Sequence, residues 1–496
     1  MSTPTGHDDE IIADIRRQTG PDQRIVFVSG NFNIVHPGHL RLLRFAAECG
    51  HFMVVGVNGN ETSGVLVTAE LRLEGVKAVN FVDYAFMLSA PVEDLIRQLK
   101  PSIVCKGKEH ELRSNPEQDA VDSYGGKLLF SSGDMRFSSI DLLKREMAGS
   151  PVPSILQPTG FPESHGFTMQ SLREIIDRLK DLRVMVLGDL IIDEYIICDA
   201  LGMSQEDPTI VVSPIQEKRF LGGAGIVASH ASRLGATVRY FTVSGNDTSA
   251  IFARERLHDY GVDAVIHVDT SRPTTLKQRY RAADKTLLRV SRLRMHDIDQ
   301  QLSDDLLASV KSGLLDTDLV IFADFNYGAL PQGLVDAVTQ ECARRQVLMV
   351  ADSQSSSQIG DLSRFKGMML LTPTEREARL AVRDFQSGLV VLAEKLREKS
   401  HAESIIMTLG KEGSIGHAAS AESDEWLTDR IPSMNIAPRD PAGAGDSLLT
   451  CASMAMAVGA DLWQSMYLGS IAAACQVGRV GNTPLSPAEI LFELAD

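Results

Sequence analysis

Short apolar runs that alternate with amphipathic stretches constrain this chain more than any other feature. Ile25–Ser29 is an apolar run, followed by a Gly/Asn/His/Pro loop, an amphipathic stretch at about Pro37–Cys49 and a second apolar run at Phe52–Asn58. Strand, helix and strand in that order form a crossover unit, and a crossover lays its two strands parallel in one sheet. The alternation continues to Leu143. It resumes further on, with apolar runs at Val184–Gly188, Leu319–Ala323, Val347–Ala351, Met369–Thr372 and Ile405–Leu409. The pattern predicts an α/β chain with two separate domains.

The break between them is compositional. Residues 149–168, GSPVPSILQPTGFPESHGFT, carry four prolines and three glycines. Proline removes amide donors and restricts its neighbours, so this stretch predicts a linker between independent cores. The expected organisation is a polar leader with one short helix at 1–23, a first domain at 24–148, the linker at 149–168 and a second domain at 169–496. Each half is long enough to bury a core, and the two halves are expected to fold apart.

With 49 Lys+Arg against 65 Asp+Glu, the net charge is −16. That argues against nucleic acid and anionic membranes, which require a positive field. A phosphorylated small molecule stays open, because a few local donors suffice to hold it. The six cysteines stand singly and predict reduced thiols. The N-terminal segment has early acids and no apolar signal core, and no apolar run has the length of a membrane span, so the cytoplasm is the expected compartment.

The first candidate site is GNFNIVHPGHLRLL, Gly30 to Leu43. His36 and His39 flank Pro37-Gly38 after a strand and at the mouth of a helix. Proline is tolerated in a first helical turn, and glycine lets a ligand approach the backbone. Free amides and a partial positive charge at a helix start suit phosphate. Two imidazoles there can stabilise the charge that builds as an α-phosphorus is attacked and pyrophosphate departs. Two surface histidines in a turn are the plainer alternative.

With its strand, Gly30-x-Phe32 lead and following helix, the segment resembles the cytidylyltransferase-like nucleotidyltransferases, whose signature is HxGH. The resemblance covers about 24–148 and implies a Rossmann-like domain. It is strongest to the adenylyltransferase half of bacterial bifunctional heptose-phosphate kinase/adenylyltransferases. It includes PSIVCKGKEH, Pro101 to His110, which implies a catalytic Lys106, and FSSIDLLKR, Phe137 to Arg145. Ser138 and Ser139 precede an apolar helix and can cap it and hold a triphosphate. Gly30, Phe32 and Asn33 complete the nucleotide site; the family usually carries Asp where this chain has Asn33.

The second candidate site is RDPAGAGDSLL, Arg439 to Leu449. Gly443, Ala444 and Gly445 can aim successive amides at one anion, with Asp446 placed to take a proton from an attacking hydroxyl. A glycine turn with Asp446 as a plain helix cap would use the same residues. Asp440 is the nearest rival acid; before Pro441 it would order the loop or the water shell of magnesium.

The second domain resembles the ribokinase-like carbohydrate kinases of the phosphofructokinase B type along nearly all of 183–490, and most specifically the heptose-phosphate kinases. VMVLGDLIIDEY, Val184 to Tyr195, matches the first strand and implies that Asp193 binds the acceptor sugar. LGGAGIVA, Leu221 to Ala228, implies that Gly222 and Gly223 close over it. TLGKEG implies a nucleotide turn with Thr408, Gly410 and Gly413. Lys277 and Arg279 lie in a closely similar segment and could grip an acceptor phosphate, or could form a solvated strand face. Asp324 begins the acceptor loop, and Glu377 is what remains of a magnesium-linked motif whose Asn is here Thr374. The Asp-Pro-Lys-Gly stretch of the family is here Asp352-Ser353-Gln354-Ser355, and Ile226 replaces an Asn. The familiar bifunctional enzymes place the kinase first; this chain reverses the order.

The resemblance implies a bifunctional sugar kinase, acting on a heptose phosphate, and a sugar-1-phosphate nucleotidyltransferase. Its product would be an ADP- or CDP-activated sugar for glycan precursors. Its cofactors would be Mg²⁺ and ATP, with CTP as the alternative at the N-terminal site. Its partners would be the sugar substrate, the nucleotide and further copies of itself through the kinase half, without nucleic acid or membrane. The competing readings are a polyol-phosphate cytidylyltransferase fused to an unrelated sugar kinase, and a nucleotide-binding sensor with one inactive site.

Overall fold

The structure is a computed structural model that describes residues 5–20, 23–32, 35, 37–60, 62, 68–89, 91–107, 115–131, 155–204, 206–207, 209–282, 285–354, 360–419 and 426–495. His36, Asn33, Ser138 and Ser139 lie outside the described residues.

The N-terminal half holds strands β1 (Ile25–Gly30), β2 (Phe52–Val57), β3 (Tyr84–Met87), β4 (Ile103–Gly107) and β5 (Lys127–Ser131). All pair in parallel, in the order β3-β2-β1-β4-β5. Val26 and Val28 face one layer of helices, while Ile25 and Phe27 face the other, so β1 is buried on both sides. That is why its sequence is a continuous apolar run rather than an alternating one. The order reverses between β1 and β4, which opens a crevice at their carboxyl ends.

The segment expected as a leader belongs to this domain. Helix Thr5–Gln18 buries Ile11 and Ile15 against Phe27, Val54 and Leu99. Arg16 donates to the Leu99 carbonyl, and the Tyr84 hydroxyl donates to Asp14 at 2.9 Å. Two buried isoleucines on an otherwise polar helix are enough to dock it, and composition averaged over the segment hides them.

The C-terminal half is built on a nine-stranded sheet and a four-stranded one. Its strands are β6 (Arg183–Gly188), β7 (Leu190–Met203), β8 (Ile210–Gly223), β9 (Thr237–Ser244), β10 (Asp263–Val268), β11 (Thr275–Ala282), β12 (Lys285–Arg292), β13 (Leu319–Asp324), β14 (Leu348–Ser353), β15 (Leu370–Leu371), β16 (Ser404–Thr408), β17 (Ser414–Ala419) and β18 (Trp426–Ile431). The large sheet runs β10-β9-β6-β13-β14-β15-β16-β17-β18, parallel up to β16 and antiparallel beyond it. The small sheet, β12-β11-β7-β8, carries β7 parallel to β11, with Lys277 opposite Asp193.

The expected linker is only partly one. From Ile155 onward the chain is built into the kinase half. Ile155 bridges to Asn435, and Phe161 and Phe167 are buried beside Tyr467. His165 stacks on Trp463 and meets Asp429 at 2.8 Å. Prolines and glycines report that a segment lacks a regular hydrogen-bond ladder; they do not report whether its aromatic side chains are buried.

The two halves pack against each other. Val390 of the second half is buried in the core cluster of the first, and Trp426 packs there as well. Lys127 lies 4.0 Å from the Trp426 ring. Among the described residues, no helix is long and apolar enough to cross a membrane.

Candidate active sites

In the N-terminal half, β1 ends at Gly30 and helix Pro37–Glu48 begins shortly after, with His39 in its first turn. Phe32 is buried with a left-handed backbone (φ +46°), and its ring lies 5.0 Å from the His39 imidazole. The Asn58 amide donates to the Gly30 carbonyl at 3.0 Å, and its side chain donates to Asn31 Oδ1 at 2.7 Å. Arg72, 1% exposed, donates to the Asn31 carbonyl at 2.7 Å and to Asn60 Oδ1 at 3.0 Å. A buried guanidinium thus stiffens the strand ends around the crevice. Nothing in the sequence marked Arg72, because its significance lies in burial.

Lys106 stands near the end of β4, next to β1. Its ammonium meets Glu117 Oε1 at 2.7 Å, both side chains being largely buried. The other Glu117 oxygen is buried without a partner. His39, in the first turn of the helix after β1, and Lys106, near the end of the neighbouring strand β4, both stand toward the carboxyl ends of the sheet, where a helix start suits anionic oxygens.

In the C-terminal half, a cavity of about 260 Å³ is lined by Asp193, Gly223, Lys277, Arg279, Glu377, Thr408, Gly443, Gly445 and Asp446. Nine expected residues from six separate segments thus share one cleft. Gly443 has φ +79° and precedes helix Ala444–Ala457, so Ala444 is its first residue and Asp446 lies in its first turn. Asp446 is buried, and burial first, then the charge of Asp193, pushes its carboxyl up to about 7; Lys277 opposes that rise. Asp193 Oδ1 accepts from Arg279 at 3.1 Å, while Arg279 Nε is buried without a partner. The Lys277 ammonium lies 5.5 Å from the Phe325 ring and 5.2 Å from that of Tyr327. Gly222, next to Gly223 on β8, packs against the Asp193 carboxylate.

The structure withdraws other expected residues from the cleft. Asp324 Oδ2 accepts from Arg364 at 2.9 Å and from Ser353 at 2.8 Å, and its Oδ1 accepts from the Asn326 amide at 3.0 Å. It is 2% exposed and orders its loop rather than lining the cavity. Gly410 and Gly413 bound the turn after β16, but only Thr408 of that motif reaches the cleft. Glu377 is shared: its Oε2 accepts from both the amide and the hydroxyl of Thr374, each at 2.8 Å, in a capping box. Thr374 in place of Asn is therefore a sound helix cap.

Two residues not singled out also line the cleft. Asp352 has a buried oxygen without a partner, and burial, then Glu377 and Asp446, hold its carboxyl well above the usual range. Asn482 donates to Asp193 Oδ2 at 3.4 Å and blocks any side chain at Gly443. Asn482 stands in VGRVGNTPLSPAEI, Val477 to Ile490, a further stretch similar to the heptose-phosphate kinases, and that similarity was the available signal.

Residues 181–489 match the pfkB family carbohydrate kinases, and residues 27–127 the cytidylyltransferase-like family. The bifunctional protein HldE of Helicobacter hepaticus is 32% identical over 63% of this chain and 64% of its own length. HldE of Geotalea uraniireducens is 28% identical over 66% and 65%. The chain thus spans just under two thirds of the length of these curated relatives. Among solved structures, phosphofructokinase-2 of Escherichia coli aligns with a TM-score of 0.52 at 15% identity, over 63% of this chain and 98% of its own. The ribokinase of Arabidopsis thaliana, complexed with ribose and ATP, aligns at 0.50 and 18%, with the same coverage. At these identities the likeness concerns the fold.

Proposed function

The chain belongs to the pfkB family of carbohydrate kinases through residues 181–489, and from that membership and the two sites we propose that it phosphorylates a sugar or sugar phosphate and then couples the product to a nucleotide. A cytidylyltransferase-like domain precedes the kinase domain in the chain. The activated sugar would be an ADP- or CDP-sugar, with a heptose phosphate as the favoured acceptor because the curated relatives are HldE proteins.

The observation that carries the kinase reading is Asp446: a buried carboxyl pushed up to about 7, in the first turn of a helix and in one cavity with Lys277 and Arg279. A base with that affinity accepts a proton from the acceptor hydroxyl near neutral pH. The amides around Gly443–Gly445 and the helix start stabilise charge on the transferring phosphoryl group. Asp193 holds sugar hydroxyls, and Arg279, with an unpartnered Nε beside Lys277, takes the acceptor phosphate.

Magnesium fits as a companion of the nucleotide. Among the described residues, no three His, Cys, Asp or Glu side chains are grouped to hold a metal. Asp352 and Glu377 line the cleft as hard oxygen donors able to take its waters, and the buried unpartnered oxygen of Asp352 suits that task. The ion supplies charge neutralisation on the phosphates.

In the transferase, His36 and His39 donate to triphosphate oxygens, and Lys106, released from Glu117, neutralises charge on the phosphates. Sugar 1-phosphate attacks the α-phosphorus and pyrophosphate leaves. The protein acts in the cytoplasm as a homo-oligomer formed through the kinase half, where Leu201, Met203, Ile210, Ile215 and Leu288 are exposed on the small sheet.

Mass spectrometry of products from the full chain with Mg²⁺, ATP or CTP and a panel of hexose and heptose phosphates tests the reading. A phosphorylated sugar and a nucleotide-sugar support it. No phosphoryl transfer to any acceptor would sink the kinase assignment.

A further inference from the structure

Where the two halves meet, four charged side chains form a continuous network. Arg430 on β18 donates from one nitrogen to Glu48 Oε1 at 2.9 Å and from another to Glu412 Oε2 at 2.7 Å. Arg44 donates to the same Glu412 oxygen at 3.1 Å. Arg44 and Glu48 belong to the last turns of helix Pro37–Glu48, which carries His39 at its other end. Glu412 belongs to the Gly410–Glu412 turn that follows Thr408, a residue of the kinase cleft.

This junction is tight. Arg430 is 18% exposed and Glu48 is 15% exposed, so water screens their bond only in part. The second Glu48 oxygen is buried without a partner, leaving Arg430 as the cation that holds the carboxylate. A Cβ on Gly388 would overlap the Glu48 carbonyl oxygen, so the backbone of the kinase half closes on the helix end. The turn is braced as well: the Leu409 amide donates to the Gly413 carbonyl at 2.8 Å and the Glu412 amide to the Leu409 carbonyl at 3.2 Å. A helix transmits displacement along its axis as a stiff rod, so seating its last turn also seats its first.

We propose that Arg430, a residue of the kinase half, is a positioning residue of the transferase site: through Glu48 it holds the helix that presents His39, and through Glu412 it ties that helix to the turn that follows Thr408. The inference rests on the assignment of a transferase to the N-terminal half.

The test uses the full chain and compares wild type, Arg430→Ala and Arg430→Lys. In Arg430→Ala the transferase KM for nucleoside triphosphate rises about fivefold or more, while its kcat and the kinase kcat stay within about twofold. Arg430→Lys, which keeps the charge and loses the fork, recovers part of the loss. Hydrogen exchange without ligand gives a readout that does not depend on activity: the peptide covering 37–48 exchanges faster in Arg430→Ala, and the β6–β13–β14 strands do not. Unchanged exchange at 37–48, or a uniform loss of both activities in step with thermal stability, overturns the proposal. A wild-type chain that releases no pyrophosphate, but in which Arg430→Ala still loosens 37–48, refutes the transferase assignment and leaves the positioning role standing.

Discussion

The Tyr195 hydroxyl donates a 2.7 Å hydrogen bond to Asp440 Oδ2 across 245 positions of sequence. Asp440 also accepts from the Gly481 amide at 3.1 Å and, through Oδ1, from the Ala442 amide at 3.1 Å. With its oxygens engaged in fastening three segments, Asp440 anchors the loop that presents Gly443–Asp446. Asp446 lines the cavity directly. Asp446→Asn is therefore expected to lower sugar-dependent ADP formation about 10²-fold or more while nucleotide binding survives. Asp440→Asn is expected to act through loop order, costing about 1–3 kcal/mol of stability and raising KM more than it lowers kcat. Calorimetry and steady-state kinetics on both variants decide between the two acids; normal turnover in Asp446→Asn with a dead Asp440→Asn would reverse the assignment.

Kinase activity should depend on pH through Asp446. Its carboxyl lies near 7, so the ionised, proton-accepting form grows as pH rises, and kcat/KM should climb through about 7 and then level. Lys277 pulls that value down. Removing the cation in Lys277→Ala should move the ascending limb to higher pH as well as weaken phosphorylated acceptors. An unmoved limb in that variant would mean that another group titrates.

Transferase chemistry should depend on both imidazoles of the HxGH segment. His39→Ala and His36→Ala are each expected to reduce pyrophosphate release about 10²-fold or more, with kinase activity unaffected. Full transferase turnover in both variants would remove the site.

Glu48 gives the folded chain a recognisable acid–base signature. Burial, opposed by Arg430 and assisted by Glu412, raises its carboxyl from the ordinary 4.5 to about 7. The folded state then binds this proton more tightly than the unfolded state, so the Glu48 contribution to stability falls as pH rises from about 4.5 to about 7 and is flat above. The whole contribution is up to about 3 kcal/mol. Other carboxyls slope the opposite way, so the measurement is the difference between wild type and Glu48→Gln in urea titrations at several pH values. The variant should gain stability relative to wild type as pH rises toward 7; a constant difference would show that Glu48 titrates normally.

The element order and the two phosphate-facing turns were legible because they are local. A doubly buried strand reads as an apolar run, and a Gly-Ala-Gly turn before a helix encodes its shape in adjacent residues; β1, β6 and the helix starting at Ala444 appear where the pattern puts them. His39 falls at a helix start and Lys106 near a strand end for the same reason. The membership of the helix Thr5–Gln18 and of residues 155–168 was not legible, since each docks through a few side chains whose partners lie elsewhere in the chain.

Sequence alone thus determined which backbone segments exist and in what order they alternate, because those follow from periodicity and from the conformations open to glycine and proline. Which charged group acts, and which is neutralised, was left to tertiary structure. Asp324 looks as available as Asp446 in the sequence, yet Arg364 and Ser353 engage the first while burial raises the second. Arg430 and Glu48, 382 positions apart, gain their significance only because folding encloses them together. Desolvation and ion pairing act through space and depend on everything packed nearby, so no contiguous stretch of residues can encode them.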